Sequence, residues 1–190
     1  TTFQSSESEH EVLIGAELRK SKGKTLHYNA NGEFCLVGPN VGDFNIMAEG
    51  DLNFRLGKRD TATLIVRANI QNQKPTYLLR NYRNAYVHWD NNNLSRQFRT
   101  GLQGEIKYSR TRTRLRFGWE NLTNYTYLAM LNTLKPGAAT GSTIPGDYTH
   151  SVCVRQSDAS VQVFTASISQ DLVWKILGWE NEVTFQHSTN

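Results

Sequence analysis

The stretch "TRLRFGWENL", residues 113–122, divides its side chains between the two faces of an extended chain. Successive side chains of a β-strand point to opposite faces, so residues two apart share a face. We call each set of alternate residues a parity. One parity is mostly charged and, with the preceding Arg112, consists of Arg112, Arg114, Arg116, Gly118 and Glu120; the other is mostly large and apolar and consists of Thr113, Leu115, Phe117 and Trp119. The stretch therefore predicts a strand with arginines along one face and a hydrophobic surface along the other.

The same alternation recurs along most of the chain, and helical spacing is nearly absent. The clearest runs are 25–37, 43–56, 62–71 and 97–108, and the less regular ones are 11–19, 77–89, 161–174 and 177–187. Turn sequences separate them, such as "SKGK" at 21–24, "GPNVG" at 38–42 and "GKRD" at 57–60. The pattern predicts an all-β fold, an antiparallel up-and-down meander of about nine strands.

One long interruption, residues 129–158, is rich in small polar residues and carries Gly-Pro punctuation. It is predicted to be a long loop, and because membrane barrels keep their longer loops outside the cell, it is a candidate extracellular loop. If 113–128 is a single strand, the connections 20–24, 57–60 and 90–95 lie on the same side of the sheet as this loop.

The length of the runs favours a transmembrane barrel over a soluble one. Strands of soluble proteins cluster near five or six residues, whereas several runs here alternate over eleven to fourteen. A membrane-spanning strand needs about 9–11 residues. The same alternation with its faces reversed describes a soluble barrel or sandwich. Two features favour the membrane barrel. The polar parity carries charges of both signs, as a water-filled lumen tolerates, and the apolar parity is interrupted by glycines, which lipid accepts more readily than a packed core: Gly32, Gly50 and Gly104.

Composition restricts the remaining possibilities. The 190 residues suit one β-barrel region spanning 1–190, and because the chain begins with Thr and shows no signal segment, we expect it to be processed or part of a longer protein. The net charge of +4 is spread along the chain, so no nucleic-acid partner is predicted. Cys35 and Cys153 are interpreted as two unpaired thiols, with one disulfide as the alternative.

No catalytic or cofactor motif stands out. The five histidines lack metal-ligand spacing, no G-x-S-x-G sequence occurs, and no glycine loop for phosphate is present. The sequence therefore predicts no enzyme activity, no cofactor and no metal.

Four stretches combine alternating strands with short aromatic–acidic motifs: "GKTLHYNANGEFCLVGPNVGDFNI" at 23–46, "RNYRNAYVHWDNNN" at 80–93, "TRTRLRFGWENLTNYTYL" at 111–128 and "VQVFTASISQDLVWKILGWENEVTFQHSTN" at 161–190. In these stretches the chain resembles the putative porin family of Bacteroidota outer membranes. The resemblance lies in strand texture and short aromatic–acidic motifs. It implies a many-stranded outer-membrane β-barrel that acts as a passive channel, of which this chain forms part.

Two sets of residues are candidates for a functional role. Basic and acidic residues of the polar parity are expected to line the pore: Arg67, Arg99, Glu105, Lys107, Arg112, Arg114, Arg116 and Glu120. Aromatic residues near strand ends are expected at the membrane interface, where amphipathic rings collect: Tyr82, Tyr86, Trp89, Trp119, Tyr125, Trp174 and Trp179. Rings of basic side chains bias a pore toward anions, but Glu49, Asp51 and Glu105 offset that bias here.

The sequence thus predicts a porin-like channel in the outer membrane of a Gram-negative cell. Its expected partners are outer-membrane lipid and the small polar solutes that diffuse through a charged lumen. The alternative is a non-conducting outer-membrane β-barrel or β-sheet module that binds a protein partner or a glycan. A barrel-embedded enzyme is a third, weaker alternative.

Overall fold

The computed structural model describes residues 10–56, 60–84, 87–140 and 143–189. Twelve strands account for most of these residues: β1 (Val12–Lys20), β2 (Leu26–Val37), β3 (Phe44–Leu56), β4 (Asp60–Gln73), β5 (Asn81–Arg83), β6 (His88–Asp90), β7 (Gln97–Tyr108), β8 (Thr113–Thr123), β9 (Thr126–Leu134), β10 (Tyr148–Gln156), β11 (Val161–Trp174) and β12 (Leu177–Thr189). A short helix, α1 (Tyr77–Arg80), precedes β5, and a 3-10 turn (Pro145–Asp147) precedes β10. No helix in these ranges has the length and apolar character needed to cross a bilayer.

Eight of the strands form one antiparallel sheet, the main sheet. Its order is β1-β2-β3-β4-β7-β8-β11-β12, so each strand pairs with the next main-sheet strand along the chain. The two remaining pairs, β5 with β6 and β9 with β10, are small hairpins inserted between main-sheet strands. This arrangement confirms the predicted all-β antiparallel meander.

The main sheet is open at both edges. Within the described residues, β1 pairs with β2 alone and β12 pairs with β11 alone. A continuous antiparallel sheet with two free edges has the form of part of a barrel.

The main sheet is a single layer with almost no hydrophobic core. Among the described residues, the buried hydrophobic side chains are Cys35, Ala62 and Ile65. Soluble domains bury the apolar face of a sheet against a second layer of structure. Here large apolar side chains remain exposed, for example Phe117 at 56% and Val183 at 66%.

The connections at the two ends of the main sheet differ in length. At the turn end, β1 joins β2, Leu56 of β3 pairs with Asp60 of β4, β7 joins β8 and β11 joins β12. At the insertion end lie the turn 38–43, the insertion 74–96 between β4 and β7, and the insertion 124–160 between β8 and β11. The turn end therefore has only short links, and the insertion end carries both hairpins.

The predicted strand 77–89 is not a strand of the main sheet. Pro75 follows β4 and has no N–H to donate to a ladder, and the chain then forms α1 and the β5–β6 hairpin. Because 77–89 does not cross the sheet, every later connection lies at the opposite end of the sheet from the end that was predicted. The predicted placement of 20–24 and 57–60 on the side of 129–158 is therefore wrong, whereas 90–95 does lie at the same end as 129–158.

The segment 129–158 also differs from the single loop that was predicted. Residues Thr126–Leu134 and Tyr148–Gln156 pair as the β9–β10 hairpin, with Met130 opposite Val152. Asn124 has a positive φ of 59°, a conformation that asparagine tolerates better than most residues, and it separates β9 from β8. Pro136, Gly137 and Pro145, which favoured the loop prediction, fall in the connection between the two strands.

Candidate functional site: the polar face of the main sheet

The pairing register places the charged residues of neighbouring strands side by side on one face of the main sheet. Glu105 lies opposite Arg116, Lys107 lies opposite Arg114, and Arg67 lies opposite Glu49. We call this surface the polar face, and it carries these charged residues with the polar residues of the same parity in β1–β4, β7, β8, β11 and β12. The opposite surface is called the apolar face; its residues include Ile14, Ala30, Ile46, Leu64, Leu102, Phe117, Ile168 and Val183.

Seven of the eight predicted pore-lining residues lie in strands on the polar face. They are Arg67 in β4, Arg99, Glu105 and Lys107 in β7, and Arg114, Arg116 and Glu120 in β8. Arg112 does not lie in a strand: it occupies the turn before β8 with a positive φ of 51°. The alternation in the sequence continued one residue beyond the strand, so parity alone could not exclude Arg112.

Glu105 is the most buried charged side chain among the described residues, at 5% exposure. Burying an unpaired carboxylate costs several kcal/mol, so a buried one needs compensating charges. Three cations supply them, because Arg67 Nη1, Lys107 Nζ and Arg116 Nε each lie 3.5 Å from an oxygen of Glu105. The centre of the polar face is thus an acid surrounded by bases from three strands.

The network continues outward on both sides of Glu105. Arg67 Nε donates to Glu49 Oε2 at 3.1 Å, and Nη2 of the same guanidinium donates to Oε1 at 3.3 Å. On the other side, Arg116 Nη1 lies 3.6 Å from Glu182 Oε1. Acids and bases therefore alternate from Glu49 through Glu105 to Glu182, spanning β3 to β12 across the strands.

Two further ion pairs lie beside this line. Arg99 pairs with Glu120 at 2.7 Å and Arg114 pairs with Asp171 at 3.7 Å. The described lysine and arginine pairs of the polar face therefore join five bases to five acids: Arg67, Arg99, Lys107, Arg114 and Arg116 with Glu49, Glu105, Glu120, Asp171 and Glu182. The arginines are not an unopposed basic surface, because Glu105 of β7 and Glu120 of β8, together with Glu49, Asp171 and Glu182 of other strands, balance them.

A groove of about 670 Å³ runs along the polar face. Its lining includes Asn31, Glu49, Arg67, Arg99 and Gln103, and also reaches Gln186 of β12. Most of the ion-paired side chains keep 40–53% of their surface exposed, so they border open space rather than a packed interior. This geometry suits contact with water and small polar molecules.

The predicted interface aromatics fall into two groups. Trp119, Trp174 and Trp179 lie in main-sheet strands on the apolar face, the last two near the turn end with 71% and 63% exposure. Tyr82 and Trp89 lie in the inserted β5–β6 hairpin, where their rings stack at 4.9 Å. Tyr125 precedes β9 and stacks on Tyr127 at 5.9 Å. Tyr86 lies outside the described residues.

Other residues of the surface were not singled out from the sequence. Tyr28 and Tyr108 accompany Trp174 and Trp179 on the apolar face near the turn end, and their parity with apolar neighbours was the sequence pattern that could have identified them. Asp171 and Glu182 complete the ion pairs of the polar face. They could not be recognised from the sequence because the pairing of β11 with β8 and β12 defines their partners.

Two smaller features have a structural explanation. His27 Nδ1 lies 2.8 Å from Asp51 Oδ2 and Nε2 lies 3.0 Å from the Gly23 carbonyl oxygen, so both ring nitrogens have partners near the turn end. Cys35 and Cys153 are both free thiols. Within the described residues, no group of three or more His, Cys, Asp or Glu side chains is arranged to hold a metal ion.

A single-layer antiparallel sheet with one charged face and one exposed apolar face is the pattern of an outer-membrane β-barrel wall. The sequence model that describes the putative porin family matches residues 1–190 of this chain. The chain therefore belongs to this family. Comparisons with curated proteins and with solved structures gave no match. Membership in this family indicates, in general, a porin-like role in the outer membrane.

Proposed function

We propose that the chain forms part of the wall of an outer-membrane channel through which small polar solutes diffuse passively. The observation that carries the proposal is the contrast between the faces. The polar face holds a network of half-exposed ion pairs, whereas the apolar face leaves its large side chains exposed. Water solvates the first surface well and lipid the second, so a closed barrel with the polar face inward satisfies both.

The channel acts by steric and electrostatic filtering and performs no chemistry. Bases of β4, β7 and β8 surround Glu105 in the middle of the polar face, and acids of β3, β11 and β12 flank them. A solute that crosses the lumen meets both signs of charge at the same depth. We therefore expect weak selectivity between anions and cations, since selectivity requires one sign to dominate the lining.

The apolar face supplies the contact with outer-membrane lipid. Tyr28, Tyr108, Trp174 and Trp179 place amphipathic rings near the turn end, where they mark one membrane interface. Bacterial barrels have short periplasmic turns and longer extracellular loops. The turn end is therefore assigned to the periplasm and the insertion end, with both inserted hairpins, to the cell exterior.

A substituted-cysteine experiment on the full-length protein tests which face lines water. Ser167 and Ile168 are adjacent in the middle of β11; Ser167 lies opposite Arg116 on the polar face, and Ile168 lies opposite Leu115 on the apolar face. Each is replaced by cysteine in a background in which Cys35 and Cys153 are serine. The protein is reconstituted in planar bilayers, and a charged, membrane-impermeant thiol reagent is added during single-channel recording.

We expect stable conductance steps from the parent protein. The reagent should reduce the conductance of Ser167→Cys and leave that of Ile168→Cys unchanged. A folded, bilayer-inserted protein without steps would contradict the channel and would favour the alternative, a non-conducting barrel that binds a protein partner or a glycan. Modification of Ile168→Cys alone would mean that the apolar face lines the water.

A further inference from the structure

A second cavity, of about 270 Å³, lies at the insertion end of the main sheet. One wall belongs to the polar face and includes Glu33 and Cys35 of β2 and Asn45 of β3. The other wall belongs to the start of the insertion 74–96 and includes Tyr77 and Arg80, the first and last residues of α1. The cavity therefore places α1 beside the rim of the polar face at the insertion end.

Both ends of this insertion are attached to the same carboxylate. Asp43 Oδ2 accepts the backbone N–H of Lys74 at 2.8 Å, and Asp43 Oδ1 accepts Arg96 Nε at 2.9 Å. The Asp43 side chain is only 13% exposed, and charge-assisted hydrogen bonds with little competition from water are the stronger ones. One residue of the turn 38–43 thus holds the first and last residues of a segment of the chain that begins 31 positions later.

The same turn provides additional contacts for these two residues. Lys74 Nζ donates to the carbonyl oxygen of Pro39, and Arg96 Nη2 donates to that of Val41. A Cβ at Gly42, where φ is +89°, would lie 3.2 Å from Nη2 of Arg96. The absence of a side chain at Gly42 lets the guanidinium lie close against the turn.

The far end of the insertion is also fixed to the β9–β10 region. Asn124 Nδ2 donates to the Arg96 carbonyl oxygen at 2.9 Å. Gln156 makes two bonds to Ser95: its Oε1 accepts the Ser95 N–H at 3.0 Å and its Nε2 donates to the Ser95 carbonyl oxygen at 2.7 Å. The three connections of the insertion end therefore form one hydrogen-bonded assembly.

We propose that the start of the insertion 74–96 is a fixed constriction at the extracellular mouth of the channel, that α1 narrows the passage at the rim of the polar face, and that Asp43 is the residue that positions it. This inference rests on the proposed function, because α1 lies in a passage only if the polar face lines one. Under that condition, the size limit for solutes is set at the insertion end by α1, and not by the 670 Å³ groove on the polar face.

Cys35 provides a structural test that does not depend on conduction. It lines the cavity and is 2% exposed, although its neighbours Phe34 and Leu36 are exposed at 42% and 48%. The full-length protein is labelled in a Cys153→Ser background, which leaves Cys35 as the one cysteine among the described residues. We expect slow labelling by a small water-soluble thiol reagent, and an increase of about tenfold in Asp43→Asn, because losing hydrogen bonds to a charged group makes local opening easier.

The matched control is Asp60→Asn at the turn end. Asp60 Oδ2 lies 3.3 Å from Arg110 Nη1 and accepts the Tyr108 hydroxyl at 3.2 Å, so this variant also removes a carboxylate that pairs with an arginine. Its Cys35 labelling rate should equal that of the parent. Arg96→Gln serves as a second disrupting variant should Asp43→Asn fail to fold. Rapid labelling of the parent, or equal rates in the Asp43 and Asp60 variants, would overturn the placement of the insertion.

The functional test measures permeation of uncharged polyethylene glycols of increasing size into vesicles that contain the full-length protein. Asp43→Asn should admit larger polymers than the parent, whereas Asp60→Asn should keep the parental limit. A parent that conducts but has the same limit as Asp43→Asn would overturn the constriction alone. A parent that admits no polymer and no ions would overturn the proposed function and the constriction with it, even with Cys35 protected.

Discussion

The two faces of the main sheet are built by the same eight strands, but their side chains interact in opposite ways. On the apolar face, residues such as Leu18 and Val183 stay more than 60% exposed and depend on their surroundings for burial. On the polar face, Glu105 is 5% exposed and is held by Lys107 of its own strand and by Arg67 and Arg116 of the two neighbouring strands. A soluble protein shows the reverse, with apolar side chains buried and charges in water.

This comparison indicates what surrounds each face. Apolar side chains without a second layer of protein need an apolar medium, and a row of half-exposed ion pairs needs water. Ile65 is an apolar residue on the polar face, where it lies between Asp51 and Glu105 in the register. Unlike the large residues of the apolar face, it is covered by its neighbours and is only 8% exposed. The one well-covered isoleucine of the sheet is thus covered on the charged side.

The largest difference between the two faces is expected when one arginine is introduced on each of them. Ala30 and Asn31 are adjacent in the middle of β2, with Ala30 on the apolar face opposite Leu18 and Ala48. Ala30→Arg should lower the free energy of unfolding by about 2–4 kcal/mol, the cost of a cation at the bilayer midplane. Asn31→Arg, facing Glu17 and Met47, should change it by less than about 1 kcal/mol.

The measurement is denaturant unfolding of the full-length protein in lipid vesicles. Equal costs for the two substitutions would mean that the faces do not differ in environment. A larger cost for Asn31→Arg would reverse the assignment of lipid and water.

A smaller effect is expected from removing one carboxylate within the polar face. Glu105→Gln leaves Arg67, Lys107 and Arg116 without their shared acid, and we expect a loss of about 1–2 kcal/mol in the free energy of unfolding because those cations are themselves partly in water. The matched variant is Glu120→Gln. Glu120 is 50% exposed and pairs with one arginine, so its loss should cost less than about 1 kcal/mol.

Unfolding in vesicles at low and at high salt separates these two variants. The cost of Glu120→Gln should shrink at high salt, whereas most of the cost of Glu105→Gln should remain, since buried pairs are screened less. A Glu105→Gln protein as stable as the parent would show that the central network contributes nothing to the sheet.

The smallest expected effect is on ion selectivity. Glu49 and Glu182 end the line of alternating charges, and replacing both by glutamine leaves their partners Arg67 and Arg116 less compensated. The reversal potential in a salt gradient should shift modestly toward anions. The reciprocal variant, Arg67→Gln with Arg116→Gln, should shift it toward cations, and shifts of the same sign in both would contradict a lumen lined by these residues.

The sequence predicted the division into faces accurately, because the alternation of an extended strand is a local property. Arg114 and Arg116 lie with Glu105 and Lys107 as parity required, and Phe117 and Trp119 lie on the other face. Arg112 failed the same rule because its positive φ ends the strand, and a left-handed residue other than glycine or asparagine is hard to anticipate from composition.

The ends of the sheet were predicted poorly, because they depend on how many times the chain crosses. The aromatic alternation of 77–89 resembled a strand, but Pro75 and the short α1 kept it out of the main sheet. A single miscounted crossing placed 129–158 at the end where 20–24 and 57–60 lie, although the alternation of the main-sheet strands was identified correctly.

The sequence by itself determined the period and the two chemically distinct faces, since both follow from neighbours along one strand, and the turn sequences between successive strands predicted the meander. Only the tertiary structure decided which charges meet, which connections share an end, and that Asp43 holds both Lys74 and Arg96. Those contacts join residues that are dozens of positions apart, and nothing in the local alternation of a strand encodes which distant strand it will pair with.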